Sequence, residues 1–275
     1  MNRFEGKRIA VIGAAPGQIG GAIVARLAAE GARVYIGGRD VSRLQVTADL
    51  AGRDRIAGVA AVDLADADST QAFVDGAAEA LGGLDGFVNN AAMYGADDTD
   101  IVSVDLGLLD TLLEVNLRGQ VFTARFAIPH LIAAGGGSIV MTSSIAGIKG
   151  EPTRVTYGIA KSGLFAVARH VSARWGKQGV RCNIVIPGRI VTGNIPEAEE
   201  PMLQPFLRRV ASPRLGTPED IASATAFLLS EDAGFINGTS ILVDGGMTEA
   251  IMTAPLDDDD FYHRLPFSKS ELGLG

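Results

Sequence analysis

Tyr157 and Lys161 stand four residues apart, so on a helix they share one face one turn from each other. Ser144 lies thirteen residues before the tyrosine, just past the apolar run Ser138–Thr142. A neutral phenol has a pKa near ~10 and is a poor base at pH 7. A lysine ammonium at about 4 Å, at an effective dielectric of ~20, contributes on the order of 4 kcal/mol. That is roughly a thousandfold in acid strength, which brings a phenol into the range useful for proton transfer. Each residue alone has an ordinary reading, since helical tyrosines pack and lysines are solvated. As a set they describe an acid–base centre.

A second constellation opens the chain. In "VIGAAPGQIGGA", Gly13, Gly17 and Gly20 sit between a strand pattern and a helix pattern that starts at Ile19. The G-x-G-x-x-G fingerprint is absent. The context is still that of a pyrophosphate site, because the free N–H groups and dipole of a helix face the turn. Glycine also serves such turns for steric reasons alone, and by itself the loop supports either reading. The next strand ends "VYIGGRD". Gly38 falls where an acidic residue would hold the adenosine ribose diol, and Arg39 follows. A missing carboxylate and an added guanidinium both point to the 2′-phosphate of NADP, although a solvated arginine in a turn fits the same letters.

These residues need a frame. Short, β-branched apolar runs recur at Arg8–Ile12, Arg33–Ile36, Ala57–Val62, Gly86–Asn89, Ser138–Thr142, Arg181–Ile186 and Ser240–Val243. They alternate with helix patterns such as Ile19–Glu30, with Gly31 placed to cap its end. Nearly continuous apolar strands between helices mean βαβ units. The expected fold is α/β, a single-domain doubly wound, Rossmann-like parallel sheet of about seven strands with helices on both faces. No repeat and no linker divides the chain, so residues 1–246 read as one domain. Residues 247–275, with the acidic run Asp257–Asp260, read as a tail, either ordered on a neighbouring subunit or disordered.

With these residues in place, the chain resembles the short-chain dehydrogenase/reductase family in its standard-size branch. The resemblance runs from Phe4 to about Gly246 and rests on the Tyr157–Lys161 pair with Ser144. It is strengthened by "VNNAA" (88–92), "VNLRG" (115–119), "IPGRIVT" (186–192) and "ILVDGG" (241–246). It implies that Tyr157 exchanges a proton with the substrate oxygen, that Ser144 hydrogen-bonds that oxygen, and that Lys161 binds the nicotinamide ribose. Asn116 would hold a relay water. Gly13, Gly17, Ile19, Gly20 and Arg39 would meet the phosphates, Asp63 and Leu64 the adenine, Asn90 the cofactor, and Ile190 and Thr192 the carboxamide. Three positions depart from the family pattern. Ile12 replaces a threonine, Ala92 replaces a glycine, and one extra residue separates Gly17 from Gly20. The loop is then a phosphate cradle one residue longer than usual.

The expected activity is hydride transfer between a nicotinamide cofactor, NADP with NAD possible, and a secondary alcohol or ketone. A 3-oxoacyl-thioester reductase of the same family is the alternative, and it would need a basic surface for an acidic carrier. The formal net charge of −8, from 24 basic and 32 acidic residues, gives that little support. The enoyl-reducing branch has a longer Tyr–Lys separation. A nucleotide-sensing regulator without chemistry should lack Tyr157 or Lys161. The acidic charge disfavours nucleic acid and anionic membrane, and no apolar run has spanning length. A lone Cys182 excludes an internal disulfide, and His130, His170 and His263 lack ligand spacing, so no metal is expected. The reading is cytoplasmic, with a small-molecule substrate and a homodimer or homotetramer paired through Leu164, Val167 and Val171 on one helix and through 218–229. Met93, Tyr94, 145–155 and 193–212 should line the substrate pocket. Arg189 would bind an anionic substrate or pair with Glu197, Glu199 or Glu200.

Overall fold

The alternation of apolar runs and helical patterns is realised strand by strand. The computed structural model describes residues 2–193 and 200–250. Its strands are β1 (Arg8–Ile12), β2 (Arg33–Gly38), β3 (Ile56–Ala61), β4 (Gly86–Asn89), β5 (Gly137–Thr142), β6 (Val180–Pro187) and β7 (Ser240–Val243). The helices are α1 (Ile19–Ala29), α2 (Val41–Ala51), α3 (Ala67–Leu81), α4 (Leu106–Leu113), α5 (Gly119–Ala133), α6 (Val155–Trp175), α7 (Glu200–Leu207) and α8 (Pro218–Leu229). All strand pairs are parallel, in the order β3-β2-β1-β4-β5-β6-β7. The order reverses between β1 and β4. The loops leaving their carboxyl ends flank a crevice, which is where doubly wound sheets bind ligands.

Successive strand residues face opposite sides, so the sheet is buried twice. Ile9 and Val11 of β1 point into a core closed by α1, α2 and α8, with Ile23, Leu27, Leu44 and Ile221. Ala10 and Ile12 point into a second core closed by α3, α5 and α6, with Phe73, Val74, Leu131 and Leu164. Cys182 belongs to this second core and is fully buried, and burial pushes its thiol up to about 12. The stripe expected to pair subunits is corrected here. Leu164 and Val171 are buried in the chain's own core and Val167 packs against it. The sheet needs that stripe to cover its face.

Among the described residues no helix is long and apolar enough to cross a membrane. The start of the expected tail, 247–250, folds onto Asp244, whose carboxylate accepts from the N–H and hydroxyl of Thr248. The rest, 251–275, including His263 and Asp257–Asp260, lies outside the described residues.

Candidate active site

β5 ends at Thr142 and delivers Ser143 and Ser144 to the crevice. α6 then runs back along the sheet with Tyr157 and Lys161 one turn apart. Lys161 is fully buried, and its Nζ donates to the Thr142 carbonyl at 2.7 Å. Its backbone carbonyl accepts from Ser143 Oγ at 2.9 Å, so strand end and helix are tied twice. The lysine Nζ lies 5.6 Å from the centre of the Tyr157 ring. Burial pushes its ammonium down to about 8.

The phenol behaves differently from the sequence expectation. Burial first, and then the neighbouring Tyr94, push the Tyr157 hydroxyl well above its ordinary value, while Ser144 and Arg154 pull the other way. Desolvation is the largest cause, and the two groups that favour the phenolate do not offset it. Tyr94 stacks on Tyr157 with ring centres 4.9 Å apart, and the two hydroxyl oxygens are 3.3 Å apart. Tyr94 is otherwise 64% exposed.

The first turn of α6 has an unusual origin. Arg154, the residue before it, is the one non-glycine residue with positive φ (61°) among those described. A left-handed residue of this type offers no capping side chain to the helix. The cap comes instead from the loop after β4. The Asp98 carbonyl accepts from Arg154 N at 2.7 Å and the Thr99 carbonyl from Val155 N at 3.2 Å. The two Asp98 carboxylate oxygens accept from Thr156 N and Tyr157 N, both at 2.9 Å. All four free donors of the helix start are thus met by two residues far away in sequence.

Asn116 sits in a π-helical turn, Glu114–Arg118, between α4 and α5 and is fully buried. Its amide bonds both backbone groups of Met93, at 2.7 and 2.8 Å. Its side chain therefore fixes the loop after β4.

The glycine loop has the close approaches of a cradle. Gly13 and Gly17 have φ of +83° and +67°. A Cβ on Gly13 would lie 2.5 Å from Ala91 N, and one on Gly20 would lie 2.0 Å from the Gly13 carbonyl oxygen. At Gly17 the nearest of the described residues to an added Cβ is Gly193, with its Cα at 3.9 Å, so those residues leave room for a phosphate. Ile19 begins α1 and packs into the core, while the Asn90 amide donates to the Gly13 carbonyl at 3.0 Å. Gly193 N donates to the Gly17 carbonyl at 3.0 Å, and this draws the segment carrying Ile190 and Thr192 over the loop. Ile190 bridges to Gly216. Gly37 and Gly38 divide into two cases. A Cβ on Gly37 would strike the Phe73 ring at 2.2 Å, whereas the nearest atom to one on Gly38 is the end of Leu44 at 3.4 Å, an ordinary contact. Packing requires the first glycine and leaves the second open. Arg39 beside it is exposed. Asp63 is exposed with its carboxylate turned to its own backbone at Ala65, and Leu64 is buried. These residues fit a dinucleotide.

Arg189 packs on an aromatic ring. Its guanidinium lies 4.4 Å above the Phe206 ring of α7. Glu197, Glu199 and the side chain of Glu200 fall outside the described part. Among the described residues no cluster of three metal-ligating side chains occurs. His130 pairs with Asp75, and His170 packs edge-on against Trp175. Sequence reasoning missed Asp98, Arg154 and Gly21. Gly21 had a signal in the doubled glycine, since a Cβ there would lie 2.6 Å from the Ala15 carbonyl oxygen.

A family model described as enoyl-(acyl carrier protein) reductase matches residues 13–248. A protein of Bradyrhizobium diazoefficiens, described as a probable short-chain type dehydrogenase/reductase, is 38% identical over 257 residues, covering 92% of this chain and 91% of that one. A 7alpha-hydroxysteroid dehydrogenase of Bacteroides fragilis is 34% identical, covering 90% and 96%. The crystal structure of levodione reductase superposes with a TM-score of 0.83 at 29% identity, over 90% of this chain and all of the other.

Proposed function

Because the chain belongs to the short-chain dehydrogenase/reductase family, we propose that it is an NAD(P)-dependent oxidoreductase moving hydride between its cofactor and a secondary alcohol or ketone. The observation that carries this reading is the meeting of Ser144, Tyr157 and buried Lys161 at the carboxyl end of β5, two strands from the glycine loop of β1. The relatives named for a hydroxysteroid and for levodione act, by those names, on an alcohol and a ketone, and they support the same class. The Tyr157–Lys161 spacing speaks against the enoyl reduction that the family description names.

The nicotinamide nucleotide, when bound, supplies or accepts the hydride. Gly13, Gly17, Ile19 and Gly20 hold its phosphates, Asp63 and Leu64 its adenine, and Asn90, Ile190 and Thr192 its nicotinamide side. Tyr157 Oη gives its proton to the substrate oxygen in reduction and recovers it in oxidation, while Ser144 Oγ hydrogen-bonds the same oxygen. Lys161 holds the ribose. With an ammonium pKa near 8 it is still mainly protonated at pH 7, and a positive charge one helical turn from the phenol favours the phenolate. Asn116, held against Met93 in its π turn, keeps one amide N–H and one oxygen lone pair for a relay water.

NADP is the preferred cofactor on the strength of the open Gly38 position and exposed Arg39. The catalytic and nucleotide-binding unit spans 1–246, with 247–275 appended, and the chain works as a homodimer or homotetramer in the cytoplasm. The test is a panel of cyclic and linear secondary alcohols and ketones, assayed with NADPH and NADH by absorbance at 340 nm. Cofactor-dependent turnover of at least one carbonyl substrate is expected. No turnover across the panel, with cofactor bound, would move the reading to the nucleotide-sensing alternative.

A further inference from the structure

Asp98 lies in the loop between β4 and α4, 58 residues before the helix start it serves. It is 3% exposed, and both carboxylate oxygens are occupied by N–H groups of α6. One of those N–H groups belongs to Tyr157 itself. A carboxylate at a helix N-terminus is favoured by the dipole as well as by its hydrogen bonds, so this attachment is strong for its size. The same loop carries Tyr94, stacked on the Tyr157 ring, and Met93, clamped by Asn116. The helix start has no alternative cap, because Arg154 is left-handed and its guanidinium is paired with Glu151 at 2.7 Å.

We propose that Asp98 is a positioning residue for the reaction: it fixes the backbone of Tyr157 to the substrate-side loop, so that Tyr157 Oη, Ser144 and Tyr94 keep their mutual geometry. The inference rests on the dehydrogenase reading for its kinetic consequence but not for its structural one. Loss of the carboxylate frees two N–H groups in the first turn of α6 and lets the phenol wander relative to the substrate. Misplacement by about 1 Å costs on the order of a hundredfold in rate. The cofactor loop, on the other side of the crevice, is untouched.

Asp98→Ala and Asp98→Asn are compared with Asp105→Ala. Asp105 caps α4 at the far end of the same loop through Leu108 N at 2.8 Å and has no contact with α6 in its hydrogen bonds. Asp98→Ala is expected to lower kcat at least tenfold with the KM for NADPH within twofold of wild type. Asp98→Asn, which keeps one acceptor, should recover at least threefold of that loss. Asp105→Ala should leave kcat within twofold. Hydrogen exchange of the peptide over 154–160 should quicken in both Asp98 variants and not in Asp105→Ala. If Asp98→Ala does not fold, Asp98→Asn carries the test, with kcat down at least threefold and the same exchange pattern expected. A folded Asp98→Ala with wild-type kcat overturns the proposal, as do equal kinetic losses in Asp98→Ala and Asp105→Ala, or an Asp98→Asn with unchanged kcat and exchange when the alanine variant is lost. Absence of turnover in wild type instead defeats the dehydrogenase reading, and the exchange measurement still decides whether Asp98 holds the helix.

Discussion

At the scale of single residues the proposed chemistry rests on one oxygen atom. Tyr157 Oη is desolvated and faces the Tyr94 hydroxyl, and its burial holds it well above an ordinary phenol. Tyr157→Phe should fold and bind cofactor yet lose at least ~10²-fold in kcat, the usual scale for a general acid–base. Turnover within a factor of two of wild type would remove the phenol from the reaction. Cofactor choice is also a single-residue matter. Arg39→Ala should weaken the preference for NADPH over NADH by roughly 1.5–3 kcal/mol, as for a charged hydrogen bond. Gly38→Asp should go further and reverse it, since a Cβ there makes ordinary van der Waals contact with Leu44 and a carboxylate would repel a 2′-phosphate. Ratios of kcat/KM for the two cofactors check both variants, and a wild-type preference for NADH would defeat the assignment.

Elements decide how the residues meet. The Arg189 guanidinium on Phe206 ties the segment after β6 to α7 at the mouth of the crevice. An exposed contact of this kind is worth about 0.5–1 kcal/mol. Arg189→Ala should therefore raise KM roughly two- to fivefold for charged and neutral substrates alike, with kcat nearly unchanged. A rise confined to carboxylate-bearing substrates would assign Arg189 to substrate binding instead. The strands themselves were legible in the sequence to within two residues, because buried parallel strands are written as continuous apolar runs. So were Ser144, Tyr157 and Lys161, because strand end and helical spacing are local patterns. Asp98 was not, since a cap supplied from 58 residues away leaves no mark beside the helix it serves. The stripe Leu164–Val171 was legible as apolar but not as to what it faces, since an apolar helix face reads the same against a sheet or a partner.

The whole molecule carries the cost of keeping a lysine in its interior. Lys161 titrates at about 8 in the folded chain and at about 10.5 in the unfolded one. Between those values the unfolded chain binds more protons, so wild-type stability gains as pH rises through this window, and below about pH 8 the penalty is complete. The cofactor-free Lys161→Met variant should thus exceed wild type in Tm most at pH 7, with the difference shrinking towards pH 10. A difference that stays constant across that range would refute a buried, depressed ammonium. Assembly belongs to this scale too. Ile159 on α6 and Val121 on α5 are 43% and 41% exposed in the single chain, and light scattering at micromolar concentration should give a dimer or tetramer mass. A monomer mass would exclude it. Finally, the only sulfhydryl of the chain lies in β6, between Ile139 of β5 and the turn at Asn237 and Gly238, with no exposed surface. A thiol-specific dye should leave the native protein unmarked and label it only when the sheet parts. The labelling rate then becomes a clock for global opening, readable without any substrate, and it should slow when nucleotide is added.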